Sequence, residues 1–163
     1  EPYRRQRQMC IRDRSSPDVT LGLNTRLNWK AWDLSIAGHG SFGTYNYNAI
    51  AANHAGLSPT TIYASESLSN RVKSAFDTNF QIAQPLSDYY VQNASFFRID
   101  NIVLGWSFKN SKRIPFNGRI YGSVQNPFVF TKYKGVDPEV FGGYDGTLYP
   151  RPMTFLLGVN LNF

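Results

Sequence analysis

Apolar residues alternate with polar ones in several segments of this chain, and this alternation limits its fold more than any other feature. A period of two places all apolar side chains on one face of a β-strand. Strands are therefore predicted at residues 21–29, 32–42, about 96–108, about 119–131 and 154–163. The last segment shows the pattern most clearly, with apolar residues at Phe155, Leu157, Val159, Leu161 and Phe163. The sequence predicts an all-β fold.

The composition favours strands that cross a membrane. Mean hydropathy is only -0.36, which matches a barrel that alternates lipid-facing with lumen-facing residues. No segment approaches the roughly 18 consecutive apolar residues that a membrane helix needs. Aromatic residues reach 15% and charged residues only 17%, as expected for a barrel with aromatic girdles. We expect the C-terminal five antiparallel strands of a large transmembrane β-barrel, an open curved sheet in this chain.

The connections between the strands alternate in length. Those after the first and third strands are short, whereas residues 44–94 and 132–151 form long connections. Bacterial barrels have short periplasmic turns and long extracellular loops, so the long connections are predicted to be extracellular. The short-turn ends carry the residues of a predicted periplasmic aromatic girdle: Trp29, Trp32, Trp106 and Phe108. Indole rings prefer such interfaces.

The first fourteen residues differ from the rest. Five arginines against two acidic residues supply half of the formal charge of +6. The run from Met9 to Arg14 resembles a translated sequencing adapter, so we interpret residues 1–14 as a non-native leader and exclude them from the fold. Residues 15–163 are interpreted as one barrel segment. No nucleic-acid partner is expected, and Cys10, the single cysteine, lies in the leader.

The last strand carries an additional pattern. Gly158, Leu161 and a final Phe163 resemble the C-terminal signal that the barrel assembly machinery of the outer membrane recognises. The resemblance implies an interaction with that machinery.

Several motifs together resemble the late strands of SusC/RagA-like TonB-linked outer-membrane proteins. The motifs are Ser87 to Val91, Ser95 to Ile102, Leu104 to Phe108, Gln125-Asn126, Phe128 to Tyr133, Gly135 to Val140 and Tyr149-Pro150. Pro127 departs from the family, which usually has leucine there. Because proline cannot donate to a strand ladder, local strand pairing is expected to be disturbed at this point.

The resemblance implies an importer in the bacterial outer membrane and not an enzyme. Such proteins take up oligosaccharides or peptides, with a SusD-like lipoprotein as lid and the TonB complex as energy source. Outer-membrane lipid would cover the barrel. A TonB-dependent receptor for siderophore, haem or vitamin, and a soluble β-sandwich binding module, remain alternatives at this stage.

Candidate sites lie in the long connections. Tyr45, Asn46, Tyr47 and Tyr144 combine aromatic rings with amides that suit contact with a ligand or a partner. Interface aromatics explain them equally well. Neither catalytic residues nor a metal centre built on His39 and His54 is expected, because the spacings suggest no triad and no third ligand.

A structural calcium ion is the one cofactor considered, with oxygen ligands from Asp137, Glu139 and Asp145. A plain turn is the alternative for these residues.

Two local features are also predicted. Apolar spacing between Leu68 and Phe80 predicts a short helix. The apolar parity of the third strand shifts near Asp100, which indicates a β-bulge. The alternative is that Phe97 and Ile99 lie above the lipid.

Overall fold

The computed structural model describes residues 15–57, 71–82, 85, 87–109, 116–146 and 149–162. The chain forms two compact units. The first, the sheet unit, comprises Thr20–Ser41, Phe96–Phe130 and Arg151–Phe163. The second, the loop unit, comprises Phe42–Ser95, Thr131–Pro150 and the described residues up to Val19. The leader assigned to residues 1–14 lies outside the described residues.

The sheet unit is a five-stranded sheet in which the order of strands is β1-β2-β5-β6-β8. Its strands are β1 (Val19–Trp29), β2 (Trp32–Phe42), β5 (Phe96–Phe108), β6 (Asn117–Thr131) and β8 (Thr154–Asn162). The pairs β2/β5 and β6/β8 are antiparallel. The sheet is open, with β1 and β8 as its edge strands. The five predicted strands and the all-β fold are confirmed.

The strand register gives this sheet one apolar and one polar face. Apolar residues face each other across neighbouring strands at Leu34↔Leu104, Ile36↔Ile102, Ile120↔Val159 and Val124↔Phe155. Polar residues do so on the other face, as at Arg119↔Asn160 and Gln125↔Thr154. The apolar face stays open, since Phe155 is 73% and Leu157 86% exposed. This is the reverse of a water-soluble sheet, which buries its apolar side.

A β-bulge lies in β5, as the sequence predicted. Ala37 pairs with Asn101 and Gly38 pairs with Ile99, so Asp100 is one extra residue without a partner in the ladder. The extra residue returns Ile99 to the apolar face, because Gly38 and the apolar Ile36 lie on the same side of β2. The bulge by itself therefore accounts for the parity shift. The alternative, that Phe97 and Ile99 lie above the lipid, is not needed to explain it.

Pro127 lies in β6 beside a second irregularity. Pairing of β6 with β8 ends at Gln125↔Thr154, directly before Asn126, whose backbone is left-handed with φ 52. The Asn126 side chain donates to the carbonyl oxygen of Pro152 at 3.4 Å. The ladder thus ends two residues before Pro127, at the first residue of β8, whereas β6 continues to Thr131. The disturbance expected from Pro127 itself stays a prediction.

The loop unit contains a second, three-stranded sheet with the order β4-β3-β7. Strands β3 (Tyr45–Asn48) and β4 (Val91–Asn93) are antiparallel, whereas β3 and β7 (Tyr144–Asp145) are parallel. A parallel pair needs a long connection. Here one strand of the pair comes from each of the two long connections of the chain. The two predicted loops are therefore one folded unit.

Two short helices and two 3₁₀ turns complete the loop unit. They are α1 (Ala49–Asn53), α2 (Ala75–Thr78), Asp88–Tyr90 and Phe141–Gly143. Helix α2 falls within the predicted range but is shorter, and residues 68–70 lie outside the described part. Helix α1 was not predicted. Among the described residues, no helix has the length and apolar character needed to cross a membrane.

The packed centre of the loop unit consists of three alanines and one tyrosine. Ala51, Ala52, Ala55 and Tyr90 form its buried cluster. Helix α1 starts there because the side chain of Asn48 accepts a hydrogen bond from the Ala51 amide at 2.9 Å. Alanine has the highest helix propensity, so the run of alanines and the asparagine cap explain α1.

Candidate ligand and partner site in the long connections

Tyr47 and Tyr144 come from different long connections and meet in the loop unit. They are paired in the parallel ladder of β3 and β7. Their rings stack with centroids 5.8 Å apart and planes 21° apart. Tyr144 is 59% exposed, so one side of this stack is accessible. Two of the residues that the sequence singled out are thus brought into contact.

Tyr45 lies two residues before Tyr47 on β3, on the same side of the strand. It is 36% exposed. Gly143 approaches its backbone closely, because a Cβ built there would lie 3.3 Å from the Tyr45 carbonyl oxygen. Gly143 has φ +74, a conformation that glycine adopts without strain. The turn before Tyr144 therefore fits tightly against β3.

Asn46 differs from the tyrosines that surround it. Its side chain is only 2% exposed, and its amide nitrogen donates to the Pro138 carbonyl oxygen at 2.8 Å. Strand alternation turns it inward where the tyrosines turn outward. In this structure Asn46 holds the 131–150 connection and is not accessible to a ligand.

Of the predicted calcium ligands, Asp137 and Asp145 are buried and Glu139 is partly buried. Tyr133 donates its hydroxyl hydrogen to Asp145 Oδ2 at 2.8 Å, and Asp137 Oδ1 accepts from the Glu139 amide at 3.0 Å. Asp145 is 0% exposed. Within the described ranges, no group of three His, Cys, Asp or Glu side chains is arranged to hold a metal. The calcium ion remains an untested prediction, and the contacts here are structural.

Burial raises the pKa of the Tyr133 phenol well above its ordinary range, and the hydrogen bond to Asp145 raises it further. Burial also raises the pKa of Tyr47 and of Tyr90, with smaller effects from neighbouring tyrosines. All three phenols therefore stay protonated at neutral pH, so each hydroxyl can donate a hydrogen bond. Tyr47 uses its hydroxyl in this way on the Pro85 carbonyl oxygen.

A second aromatic group, not singled out as a site by the sequence, continues from Tyr47. The ring of Tyr90 is edge-on to Tyr47 at 6.4 Å and to Tyr89 at 5.2 Å, and Phe80 lies 6.3 Å from Tyr89. Tyr89 is 51% exposed, whereas Tyr90 is 2% exposed. The two adjacent tyrosines at 89–90 could have indicated an aromatic site. The sequence analysis used them only as part of the motif that carries the family resemblance.

A cavity of about 410 Å³ opens beside this second group. It lies entirely within the loop unit, between α1, α2, β4 and the segment at residues 134–136. Its size falls at the lower end of the roughly 300–1,000 Å³ typical of small-molecule sites. The loop unit thus combines an exposed tyrosine stack with a pocket.

The residues of the aromatic girdle gather at one end of the sheet unit. Trp32 and Trp106 are register partners with ring centroids 6.4 Å apart, and Phe108 lies 5.5 Å from Trp106. Trp29, 70% exposed, has the Lys30 ammonium 5.4 Å from its ring. The short turn between β1 and β2 joins the first two indoles. Their position at a periplasmic interface remains a prediction.

The residues of the assembly signal are only partly described. Leu161 lies on the apolar face and is 44% exposed. Gly158 pairs with Tyr121, and a side chain at Gly158 would collide with the tyrosine ring. Phe163 lies outside the described residues. Gly158 therefore also has a packing role that the sequence did not indicate.

An ion pair on the polar face joins β2 to β6 across β5. Arg119 donates to the two carboxylate oxygens of Asp33 at 2.9 and 2.5 Å. The pair lies over Gly105, where a Cβ would be 2.5 Å from Asp33 Oδ1 and 2.6 Å from Arg119 Nη2. Such two-point pairing fixes geometry as well as charge. It was not predicted, because only the register brings the two residues together.

This chain is similar in sequence to TonB-dependent receptors. No family model matches the chain. The chain is 40% identical over 151 residues to TonB-dependent receptor SusC of Bacteroides thetaiotaomicron, covering 90% of this chain and 15% of that protein. It is 28% identical over 171 residues to TonB-dependent receptor P3 of Formosa agariphila, covering 91% of this chain and 16% of the relative. The chain is SusC/RagA-like.

This SusC/RagA-like chain is also similar in fold to part of several solved structures. A chain of the RagAB peptide transporter superposes with a TM-score of 0.69 at 22% identity, covering 91% of this chain and 17% of that chain. The RagAB peptide importer in its closed-closed state gives 0.67 at 21% identity, with 91% and 18% covered. The shared fold is a set of strands from a barrel transporter. The chain spans less than a fifth of each of these proteins.

Proposed function

We propose that this SusC/RagA-like chain forms part of an outer-membrane TonB-dependent importer and has no enzymatic role. The open apolar face of the sheet unit carries the proposal. Five neighbouring strands present large apolar residues to the outside while charged and amide side chains occupy the other face. A sheet with this distribution is stable when lipid covers the apolar side. Outer-membrane lipid is therefore the first partner proposed.

The proposed orientation of the strands rests on the lengths of their connections, because bacterial barrels have short periplasmic turns and long extracellular loops. The turn end with the aromatic girdle lies at the periplasmic surface, and the loop unit lies at the extracellular surface. Asn53 is exposed on α1, on the proposed extracellular side. Lys109 is exposed after β5, on the proposed periplasmic side. In intact cells, Asn53→Cys should react with a membrane-impermeant thiol reagent and Lys109→Cys should not. The reverse labelling pattern would invert the proposed topology.

The loop unit is the proposed contact surface for cargo and for a SusD-like lipoprotein. Tyr45 and Tyr144 are exposed, and aromatic residues often dominate the binding energy of interfaces. Oligosaccharides or peptides are the proposed cargo, with the TonB complex as energy source. Gly158, Leu161 and Phe163 are proposed to contact the barrel assembly machinery.

Removal of residues 58–79 from the receptor tests this assignment. Co-purification of the lipoprotein or cargo uptake should fall, while the amount of receptor in the outer membrane stays unchanged. Replacing the same segment with a glycine and serine linker of equal length controls for loop closure. Unchanged uptake and unchanged partner binding would show that this connection is a tolerated insertion.

A further inference from the structure

We propose that the turn end of the sheet unit binds the headgroup of an anionic phospholipid through Lys30 and Lys109. This end comprises the short turn between β1 and β2, the end of β5 and the start of β6. The proposal rests on the proposed function in taking this end to lie at a membrane surface. It goes beyond an aromatic girdle, which suits any lipid, because it assigns a preference for negatively charged lipid.

The turn end carries an excess of positive charge. Residues 29–33 and 106–119 of the sequence contain five lysines and arginines and a single acidic residue, a net charge of +4. That acidic residue, Asp33, already accepts two hydrogen bonds from Arg119. This pairing uses one cation, and these two segments contain no further acidic residue for the lysines. A surface with this balance of charge attracts anions.

Lys30 and Lys109 are exposed and belong to the same end of one sheet. The Lys30 ammonium lies 5.4 Å from the centre of the Trp29 ring. Lys109 directly follows β5. The Ser107 amide donates to the Ala31 carbonyl oxygen at 2.7 Å, which joins the backbone beside Lys30 to the last residues of β5. Both ammonium groups are therefore available at this end of the sheet.

The backbone of Lys30 supplies an independent observation. Its φ of 56 is left-handed, a conformation that glycine and asparagine adopt more readily than lysine does. Two-residue hairpin turns usually have asparagine, aspartate or glycine in such positions. A lysine in this turn lowers its conformational stability. What lysine adds over the favoured residues is a positive charge on a long side chain.

The aromatic rings at this end favour a lipid headgroup over a soluble anion. Trp29, Trp32 and Trp106 are all exposed, and indole rings prefer the headgroup depth of a bilayer. Lysine side chains at a membrane surface extend their charge to that depth. Phosphatidylglycerol offers a phosphate with a net negative charge. Phosphatidylethanolamine carries an ammonium group of its own, which the lysines repel.

Native mass spectrometry of the full-length receptor in detergent micelles tests the site. The probes are phosphatidylglycerol and phosphatidylethanolamine with identical acyl chains, and inorganic phosphate. We expect phosphatidylglycerol to bind at least about tenfold more tightly than phosphatidylethanolamine, because each lysine near an anionic surface contributes about fivefold. Lys30→Asn combined with Lys109→Gln should lower this preference by about tenfold, and asparagine suits the left-handed backbone. Lys30→Arg combined with Lys109→Arg keeps both charges and should keep the preference.

Lys132→Gln combined with Lys134→Gln is the matched control, because it removes the same charge from two exposed lysines of the loop unit. The control should keep the preference for phosphatidylglycerol. The proposal is overturned if the two lipids bind equally, or if the Lys30→Asn and Lys109→Gln variant keeps the preference. It is also overturned if the control loses as much, or if inorganic phosphate displaces phosphatidylglycerol at constant ionic strength.

The failure of this proposal can be distinguished from the failure of the proposed function. Micelles impose no orientation on the receptor, so the lipid preference is measured whichever end faces the periplasm. Reversed labelling of Asn53→Cys and Lys109→Cys in intact cells would reject the proposed topology and leave the lipid preference standing. Equal binding of the two lipids would reject the headgroup site and leave the topology standing.

Discussion

The two units of this chain differ in where their apolar side chains lie. In the sheet unit the largest apolar side chains are open, with Leu157 at 86% and Phe155 at 73% exposure. In the loop unit the largest fully buried side chains are polar, Asn46 and Asp145, and the apolar centre is made of three alanines and Tyr90. Lipid can replace protein as the apolar partner of a strand. Lipid cannot form hydrogen bonds with the backbone polar groups of a loop, so side chains of the loop unit supply these hydrogen bonds.

The largest predicted effect tests whether the apolar face meets lipid. Val159→Arg places a charge on that face. We expect it to lower the free energy of unfolding in lipid vesicles by about 2–4 kcal/mol. Denaturant titration of vesicle-inserted receptor measures this change. Asn160→Arg, one residue further on the polar face, is the matched control and should have little effect. Equal effects at both positions would remove the distinction between the faces.

The second effect concerns the polar face. Gly105→Ala pushes a methyl group against the Asp33–Arg119 pair, and we expect a loss of about 1–3 kcal/mol in the same titration. Gly22→Ala is the control in the same sheet, because nothing lies within 4 Å of a Cβ at that position. A loss of equal size at both glycines would show that contact with the ion pair does not set the cost.

The third effect belongs to the loop unit. Tyr133→Phe removes the hydroxyl that donates to buried Asp145, and we expect the local opening free energy to fall by about 1–2 kcal/mol. Hydrogen exchange of the β3 and β7 amides measures it. Exchange in β2 should not change, since that strand belongs to the sheet unit. Unchanged exchange in β3 and β7 would mean that other contacts hold Asp145.

The same tyrosine predicts a pH dependence. Its pKa is raised in the folded chain, so the folded state keeps a proton that the unfolded state loses above about pH 10. The associated stability is complete below that pH and is lost as pH rises further. Phenolate absorbance should show a high-pH transition coupled to opening of the loop unit. Tyr133→Phe should weaken this transition, and Tyr149→Phe should leave it unchanged.

The smallest predicted effect tests the contact between the two long connections. Tyr144→Ala removes the stack on Tyr47, and we expect a loss of about 0.5–1 kcal/mol in local stability, seen as faster exchange of β7 amides. Tyr144→Phe keeps the ring and should behave like the unmodified chain. A similar loss in Tyr144→Phe would assign the stability to the hydroxyl.

Sequence patterns worked best where the environment is simplest. On the sheet, apolar residues on one face and polar residues on the other make period two visible, and even the bulge at Asp100 was indicated by its parity. Asn46 shows the opposite case. Beside Tyr45 and Tyr47 it has the residue type of a binding group, but only the fold reveals that it faces inward and bonds to Pro138.

The sequence by itself determined the strands, the alternation of short and long connections, and the resemblance to SusC/RagA-like proteins, because each depends on local periodicity or motif order. Tertiary structure decided which distant residues meet. Tyr47 reaches Tyr144, Arg119 reaches Asp33, and Tyr89 lines a cavity with Lys134. These contacts depend on strand register and on a parallel pairing between two connections, and neither leaves a periodic signal in the chain.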